Sequence, residues 1–244
     1  MKIVGLVKFY NEEEHLERCL KCLSEICDEI VCCNDSSTDN SLSIAKKYTG
    51  YIINMPNDFE NESYHKQKML EYAISEIKDI DFFVHIDPDE IFDRYAKEGI
   101  RKLCNLAIEF NIDGFSFHVI NLWKSKCWYR VDNMFNDLWK VALWKNHEGI
   151  RFDISRGLHK PQHPITLKNI KPTRLEIIHF GFSKKEYIMR KYNTYKALGM
   201  SGWALNRIID ESRLILKPVN LEIFPDWIYV EADEYDGNDR NTNI

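Results

Sequence analysis

Apolar residues recur along the first third of the chain in two alternating periods. Ile3 to Val7 is a short continuous apolar run of the kind that forms a buried strand. Leu16, Cys19, Leu20, Leu23 and Cys27 then follow at helical spacing, with Asn11 placed as N-cap and acids in the first turn. A second run, Glu29 to Cys33, ends on Asn34-Asp35-Ser36-Ser37-Thr38-Asp39, whose hydroxyls and carboxylates suit a loop that caps a helix over Ser41 to Tyr48. Tyr51 to Asn54 predicts a third strand, and Met69, Leu70, Ala73, Ile74 and Ile77 mark one face of a helix over Tyr64 to Ile77. The fourth run, Phe82 to Ile86, stops on Asp87-Pro88-Asp89-Glu90, where a proline without an N–H ends the ladder. Strands alternating with helices in this way predict parallel βαβ units: an α/β fold with a mainly parallel sheet flanked by helices. Such sheets bind ligands beyond the carboxyl ends of their strands, so the turns at 8–11, 34–36 and 87–89 are expected to converge on one crevice.

The second half is less regular. A helix is predicted over Glu98 to Phe110, and strands over Gly114 to Ile120 and Lys140 to Trp144. Between them Trp123 and Trp128, with polar and charged neighbours, are candidates to line an acceptor groove, since aromatic rings stack on apolar faces of sugars. Trp139 and Trp144 read as core. Asp132, Asn133, Asn136 and Asp137 form a polar loop. Ser183 to Leu198 is a basic, tyrosine-bearing helix; its charge suits a solvated face or a peripheral membrane contact. Ala204 to Leu216 predicts a further amphipathic helix ending before Pro218, and the acidic segment from residue 231 a polar tail. The expected organisation is a domain over 1–182, with its nucleotide-binding part in 1–95 and its acceptor part in 96–182, a C-terminal helical extension over 183–230, and the tail.

Composition removes some classes of function. With 33 basic against 38 acidic residues and a net charge of −5, the chain lacks the basic surface that nucleic-acid binding requires. The same balance gives an anionic ligand little help from the global field, so local groups must attract it. Seven cysteines, an odd number set within apolar patterns, suggest reduced thiols and a cytoplasmic setting, possible contact with the inner membrane face aside. Cys19 and Cys22 with Cys27, Cys32 and Cys33 also permit a metal-cluster reading, although they lack two well-spaced pairs. No signal peptide is expected at the N-terminus, and no stretch approaches the roughly 20 apolar residues of a spanning helix.

The acidic strand end carries the sharpest chemistry. Two carboxylates about 4 Å apart repel by about 4 kcal/mol at an effective dielectric of 20, and a divalent cation relieves that repulsion. Hard oxygen ligands with open positions suit Mg²⁺ or Mn²⁺, which complete their shells with substrate phosphates. Asp-Pro-Asp is also ordinary turn chemistry, and only the company of the other two strand ends favours the metal reading.

In order along the chain, Asn11-Glu12-Glu13 after an apolar strand, Asp35-Ser36-Ser37-Thr38-Asp39 after a second, and Asp87-Pro88-Asp89-Glu90 after a third resemble the motifs of family 2 glycosyltransferases with the GT-A fold. The resemblance covers residues 1 to about 95. It implies a Rossmann-like sheet, a nucleotide-sugar donor with UDP favoured by family habit, a glycan or glycolipid acceptor, and inversion at the anomeric carbon. By the same resemblance the end of strand one (Val7, Phe9, Asn11, Glu12) and Asp35 hold the nucleoside, Asp87 contacts ribose or metal, and Asp89 ligates the metal. Where the family often carries an Arg-Asn pair near the diphosphate this chain has His65-Lys66-Gln67-Lys68, which makes Lys66 the phosphate partner. Gly157-Leu158-His159-Lys160 and His179-Phe180-Gly181-Phe182 are similar to later family motifs, with Lys160 where many members have Glu. His159 is therefore a candidate third metal ligand, whereas His179, like His15, His85, His118, His147 and His163, reads as structural. Asp137, then Asp153, are the candidates for the general base. Two other readings stay open: a non-catalytic nucleotide-sugar or glycan binder, and a sugar-phosphate nucleotidyltransferase, although the Gly-rich loop of the latter has no counterpart in Lys8-Phe9-Tyr10-Asn11.

Overall fold

The computed structural model describes residues 1–132, 135, 137–155 and 162–230. Ten strands and six helices follow in the order β1 Ile3–Phe9, α1 Leu16–Ile26, β2 Glu29–Asn34, α2 Ser41–Ala45, β3 Tyr51–Asn54, α3 Glu62–Glu76, β4 Phe82–His85, β5 Glu90–Phe92, α4 Ala96–Glu109, β6 Gly114–Asn121, β7 Trp128–Arg130, β8 Trp139–Lys145, β9 Ile170–His179, α5 Lys185–Ala197, α6 Gly202–Asn206 and β10 Leu216–Pro218. Eight strands form one sheet in the order β3-β2-β1-β4-β8-β6-β9-β5, and β7 and β10 form a separate ribbon. The first four strands pair in parallel, each reached through a helical crossover; β8 runs antiparallel to β4 and β6 antiparallel to β8. This is the expected α/β architecture.

The chain divides into two compact units. The first comprises Met1–His118 and Trp139–Ile177, the second Val119–Leu138 with the chain from Ile178 on. The division differs from a boundary at 182/183, because the Trp123 segment groups with the C-terminal part.

In the first unit Val4, Leu6, Val31, Cys33 and Phe83 of the parallel strands pack against Met69, Leu70, Ala73 and Ile77 of α3, with Trp144 and Phe152 completing the cluster. On α1, Leu16, Cys19, Leu20, Cys22, Leu23 and Ile26 are buried, the stripe its spacing predicts. Gly5 lets α1 approach: a Cβ there would stand 3.2 Å from Cys27 Sγ and 3.4 Å from Leu23 Cδ1. Asn11 does not cap α1, whose N-cap position is His15. Its backbone is left-handed (φ 52°), and its side-chain oxygen accepts from Thr38 N (2.7 Å) while its own N–H donates to Ser37 Oγ (3.1 Å). The amide is spent on fastening the β1 turn to the β2 loop.

In the second unit Trp123, Phe135, Phe182, Ile188, Leu205 and Ile208 form a core of their own. The predicted helix over Ala204 to Leu216 is instead the short α6, turns, and strand β10 paired with β7. Arg130 accounts for the difference, because its guanidinium donates to the carbonyls of Arg207 (3.1 Å) and Asp210 (2.8 Å). Helical bonding would have claimed those carbonyls. Trp139, expected in the core, is 42% exposed, whereas Trp144 is buried. The tail from residue 231 lies outside the described residues.

Candidate functional site

Three parallel strands end side by side, and the side chains just beyond them are charged. Asp35, one residue past β2, is fully buried; its oxygens accept from Lys8 Nζ (2.8 Å) and His65 Nδ1 (3.0 Å). Burial works against an ionised Asp35, but the His65 hydrogen bond and the Lys8 charge outweigh it and lower the pKa. Lys8 is raised in turn: burial opposes its charge, and Asp35 and Glu62 more than compensate. The β1 and β2 turns are further locked by Glu12 N donating to Ser41 Oγ (2.8 Å) and by Glu13 accepting from Asn40 (2.9 Å). Val7 and Phe9 are buried apolar side chains of β1.

Beyond β4 the chain turns at Asp87-Pro88-Asp89-Glu90, with Glu90 N donating to Asp87 O (3.0 Å) and Asp87 N to Glu90 Oε2 (2.8 Å). Lys140, from β8, reaches across: its Nζ lies 2.8 Å from Asp87 Oδ2 and 2.5 Å from Glu90 Oε2. Burial would raise the pKa of Asp87, but Lys140, then Lys66, hold its carboxyl well below the ordinary range. Lys140 is raised because the two carboxylates overcome its desolvation. The placement of Lys140 depends on a bulge. Against β6 the register steps from Phe115–Leu143 to Ser116–Val141, so Ala142 is an extra residue that resets the alternation of β8.

Lys66, on α3, is buried, pairs with Glu62 Oε1 at 2.7 Å and donates to Gln162. Glu62 is lowered, burial notwithstanding, by Lys66 and Lys8, while Asp87 opposes them. His85 ends β4 within this same group of charges. It is fully buried with no hydrogen-bond partner at either ring nitrogen, and burial, then Lys66 and Lys140, depress its pKa well below the ordinary value. The expectation of a satisfied core histidine is met for His179, which bonds Asn121 at 2.8 Å, and not for His85.

Three ammonium groups (Lys8, Lys66, Lys140) therefore stand among five carboxylates (Asp35, Glu62, Asp87, Asp89, Glu90), leaving two negative charges with the histidines neutral. Among the described residues no three His, Cys, Asp or Glu side chains form a metal cage. A hard divalent ion does not need one, since Mg²⁺ typically takes one or two carboxylates and completes its shell with water and phosphate oxygens. Asp87, whose side chain is 37% exposed, and Asp89, which is buried, fit that donor set in chemistry and in charge. His159 lies outside the described residues.

Other expectations fare differently. Trp123 is 1% exposed, packed on Phe135 and Phe182 with Arg130 over its ring at 4.4 Å and Glu211 accepting from its indole N–H (3.3 Å), so it is a core residue and not a groove lining. Trp128 is half-buried on β7. Of the candidate bases, Asp153 accepts from Ser155 N (3.0 Å) and Oγ (2.7 Å) in a local turn, and Asp137 is exposed in the second unit. Lys140 and His65 are the site residues the sequence did not single out. The Lys140 signal was a lone lysine inside an apolar strand, and that of His65 its place beside Lys66.

This is an α/β protein with a cluster of buried charges at the ends of its parallel strands. Residues 6–102, about two-fifths of the chain, match the model of Glycosyl transferase family 2. The SPbeta prophage-derived glycosyltransferase SunS of Bacillus subtilis (strain 168), and the glycosyltransferase SunS of Bacillus phage SPbeta, are each 30% identical over 112 residues, 43% of this chain. The chain spans only 24% of the length of those relatives. Among solved structures, S. aureus TarS 1-349 aligns over 86% of this chain and 70% of its own at 14% identity and a TM-score of 0.48. The glucosyl-3-phosphoglycerate synthase of Mycobacterium tuberculosis, solved with Mn²⁺ and UDP-glucose, aligns over 48% and 43% at 16% and 0.34. No helix among the described residues is long and apolar enough to cross a membrane.

Proposed function

We propose that the protein transfers a sugar from a nucleotide-diphosphate donor, with UDP the favoured nucleotide, to a hydroxyl of a glycan or glycolipid acceptor. The observation that carries this reading is the charged cluster at adjoining strand ends, Lys8–Asp35–His65 beside Lys140–Asp87–Glu90, all of whose residues but Lys140 fall in the segment that matches the family model. Asp35, buried and fixed on two sides, is pre-organised to orient the nucleoside together with the Asn11 and Glu12 turn. Lys66 supplies positive charge to the diphosphate, and Asp87 and Asp89 hold Mg²⁺ or Mn²⁺. That ion, when bound, neutralises the charge developing on the departing diphosphate. The acceptor hydroxyl gives its proton to a carboxylate, Asp137 or Asp153, in a single inverting displacement.

The test is a panel of nucleotide sugars with and without Mn²⁺, read by melting temperature and by released nucleotide. A ligand that binds only the folded chain raises its melting temperature, by about 2.7 kcal/mol of stabilisation at a hundredfold excess over Kd. A UDP-sugar that stabilises the protein and is slowly hydrolysed supports a transferase. Tight binding with neither transfer nor hydrolysis would leave a binder instead.

A further inference from the structure

Lys140 bonds a carboxylate that the proposed chemistry needs for a cation. Its ammonium lies on Asp87 Oδ2 at 2.8 Å and, on its other side, on the buried Glu90 at 2.5 Å, while Glu90 also accepts from the Asp87 backbone N–H. The three groups close a ring in which Asp87 already has a positive partner. A free divalent cation arriving at Asp87 must compete with an ammonium that Glu90 also holds beside it. Lys66, although paired with Glu62, adds its positive charge to the field at Asp87. A cation bringing a pyrophosphate meets different electrostatics: the phosphate charges take up the lysine field, and Lys140 keeps Glu90 as its counter-ion.

We propose that Lys140 is a resident counter-ion that occupies Asp87 until nucleotide arrives, so that the protein takes up a divalent metal only together with the diphosphate. This rests on the glycosyltransferase reading for the identity of the nucleotide, but the competition between Lys140 and a cation for Asp87 does not. Lys140 acts on the metal through Asp87 and is a positioning residue.

The experiment measures Mn²⁺ binding by the loss of the free-ion electron spin resonance signal, with Mn²⁺ alone and with Mn²⁺ plus UDP. The chains compared are wild type, Lys140→Gln, Lys140→Arg, and the double variant Lys140→Gln/Asp87→Asn. Wild type is expected to bind Mn²⁺ at least tenfold more tightly with UDP than without. Lys140→Gln should bind Mn²⁺ alone at least tenfold more tightly than wild type and gain less from UDP. Lys140→Arg, which keeps the charge, should follow wild type, and the double variant should lose the gain. By reciprocity, Mn²⁺ must raise UDP affinity in wild type by the factor that UDP raises Mn²⁺ affinity. No gain in Lys140→Gln, or a gain that survives Asp87→Asn, overturns the proposal. If Lys140→Gln does not fold, the wild-type arms decide, since equal Mn²⁺ affinity with and without UDP overturns it as well. Absence of any UDP binding would count against the proposed function, while the Mn²⁺-only arms still judge Lys140.

Discussion

Each unit of the protein buries an ion pair, and the two pairs are built for opposite ends. In the second unit Arg130 forms a fork on Asp132, its Nε and Nη2 reaching the carboxylate at 2.8–3.0 Å; Nη1 donates to the Arg207 carbonyl and Nη2 to the Asp210 carbonyl, and the guanidinium carbon lies 4.4 Å from the Trp123 ring and 4.6 Å from the Phe135 ring. Four of the five guanidinium N–H groups are thereby engaged, and Asp132 also accepts from Ile215 N (3.0 Å). In the first unit a lysine faces two carboxylates, one buried and one whose side chain is 37% exposed. A point charge on a flexible stem can be shared and exchanged more readily than a planar fork held by a carboxylate, two carbonyls and two aromatic rings. The contrast indicates that burial of charge marks a functional corner only where some of that charge remains open to exchange.

The largest effect should come from breaking the Arg130–Asp132 pair. Arg130→Ala leaves Asp132 buried without its cation, uncovers the Trp123 and Phe135 rings and orphans two carbonyls, and it should cost about 3–5 kcal/mol in urea denaturation. Pairing it with Asp132→Leu should recover only part of that, because the Arg207 and Asp210 carbonyls stay unbonded. Full recovery would show that the fork contributes nothing beyond compensating its own burial.

Asp87→Asn tests the other corner, and here stability and turnover should separate. Lys140 keeps Glu90 as a partner, so unfolding free energy should stay within about 1 kcal/mol of wild type. Sugar transfer should fall by about 10²–10³-fold, the scale on which removing a group that stabilises developing charge acts. Equal losses of stability and activity would make Asp87 a structural residue.

Much of this contrast was legible in the sequence on one side and hidden on the other. Period-two and period-3.6 patterns located β1 to β4 and the helices between them, with Tyr51–Asn54 placed to the residue. They also put Asp35 and Asp87 at strand ends, because in a parallel sheet position along the chain translates directly into position at the crevice. Lys140 was not legible, since it depends on an antiparallel neighbour 53 residues away from Asp87 and on a bulge at Ala142 that no local pattern announces. Trp123 was misread for a related reason: Arg130 turns a polar-looking stretch into a core by covering rings with a guanidinium. The helix over Ala204 to Leu216 failed because tertiary hydrogen bonds from that same arginine overrode an amphipathic period.

A carboxylate whose surroundings raise its pKa supplies the intermediate case. Asp93 is buried, accepts from Glu176 N (2.6 Å) and Tyr95 N (2.9 Å), and is pushed up to about 6 by burial, with the nearby Glu176 carboxylate adding to it and the backbone N–H groups opposing. Glu176 itself faces His118 at 3.3 Å. The folded chain thus binds a proton more readily than the unfolded one, whose Asp titrates near 3.9. The Asp93 contribution is therefore fully present below about pH 4 and is lost as the pH rises through about 6, a change of about 2–3 kcal/mol. Asp35 and Glu62, with lowered values, run the other way, gaining as the pH rises through the acid range. Urea titrations of wild type and Asp93→Asn at pH 4 and pH 7 isolate the group. Wild type should lose ground to the variant as the pH rises, and a difference independent of pH would rule the shift out.

The smallest effect belongs to a pair with the same charges and no burial. Lys102 lies 3.5 Å from Glu98 one turn earlier on α4, with side chains 74% and 84% exposed. The orientation, acid four residues before base, is the favourable one for a helix, yet solvent and salt screen the attraction and two long side chains must be held still to make it. Lys102→Ala should change unfolding free energy by no more than about 0.5 kcal/mol, and Ala's helix propensity offsets part of even that. If the loss instead approached that of Arg130→Ala, solvent exposure would not be what separates the charge pairs of this chain, and the argument that reads function from the half-open corner at Asp87 would lose its footing.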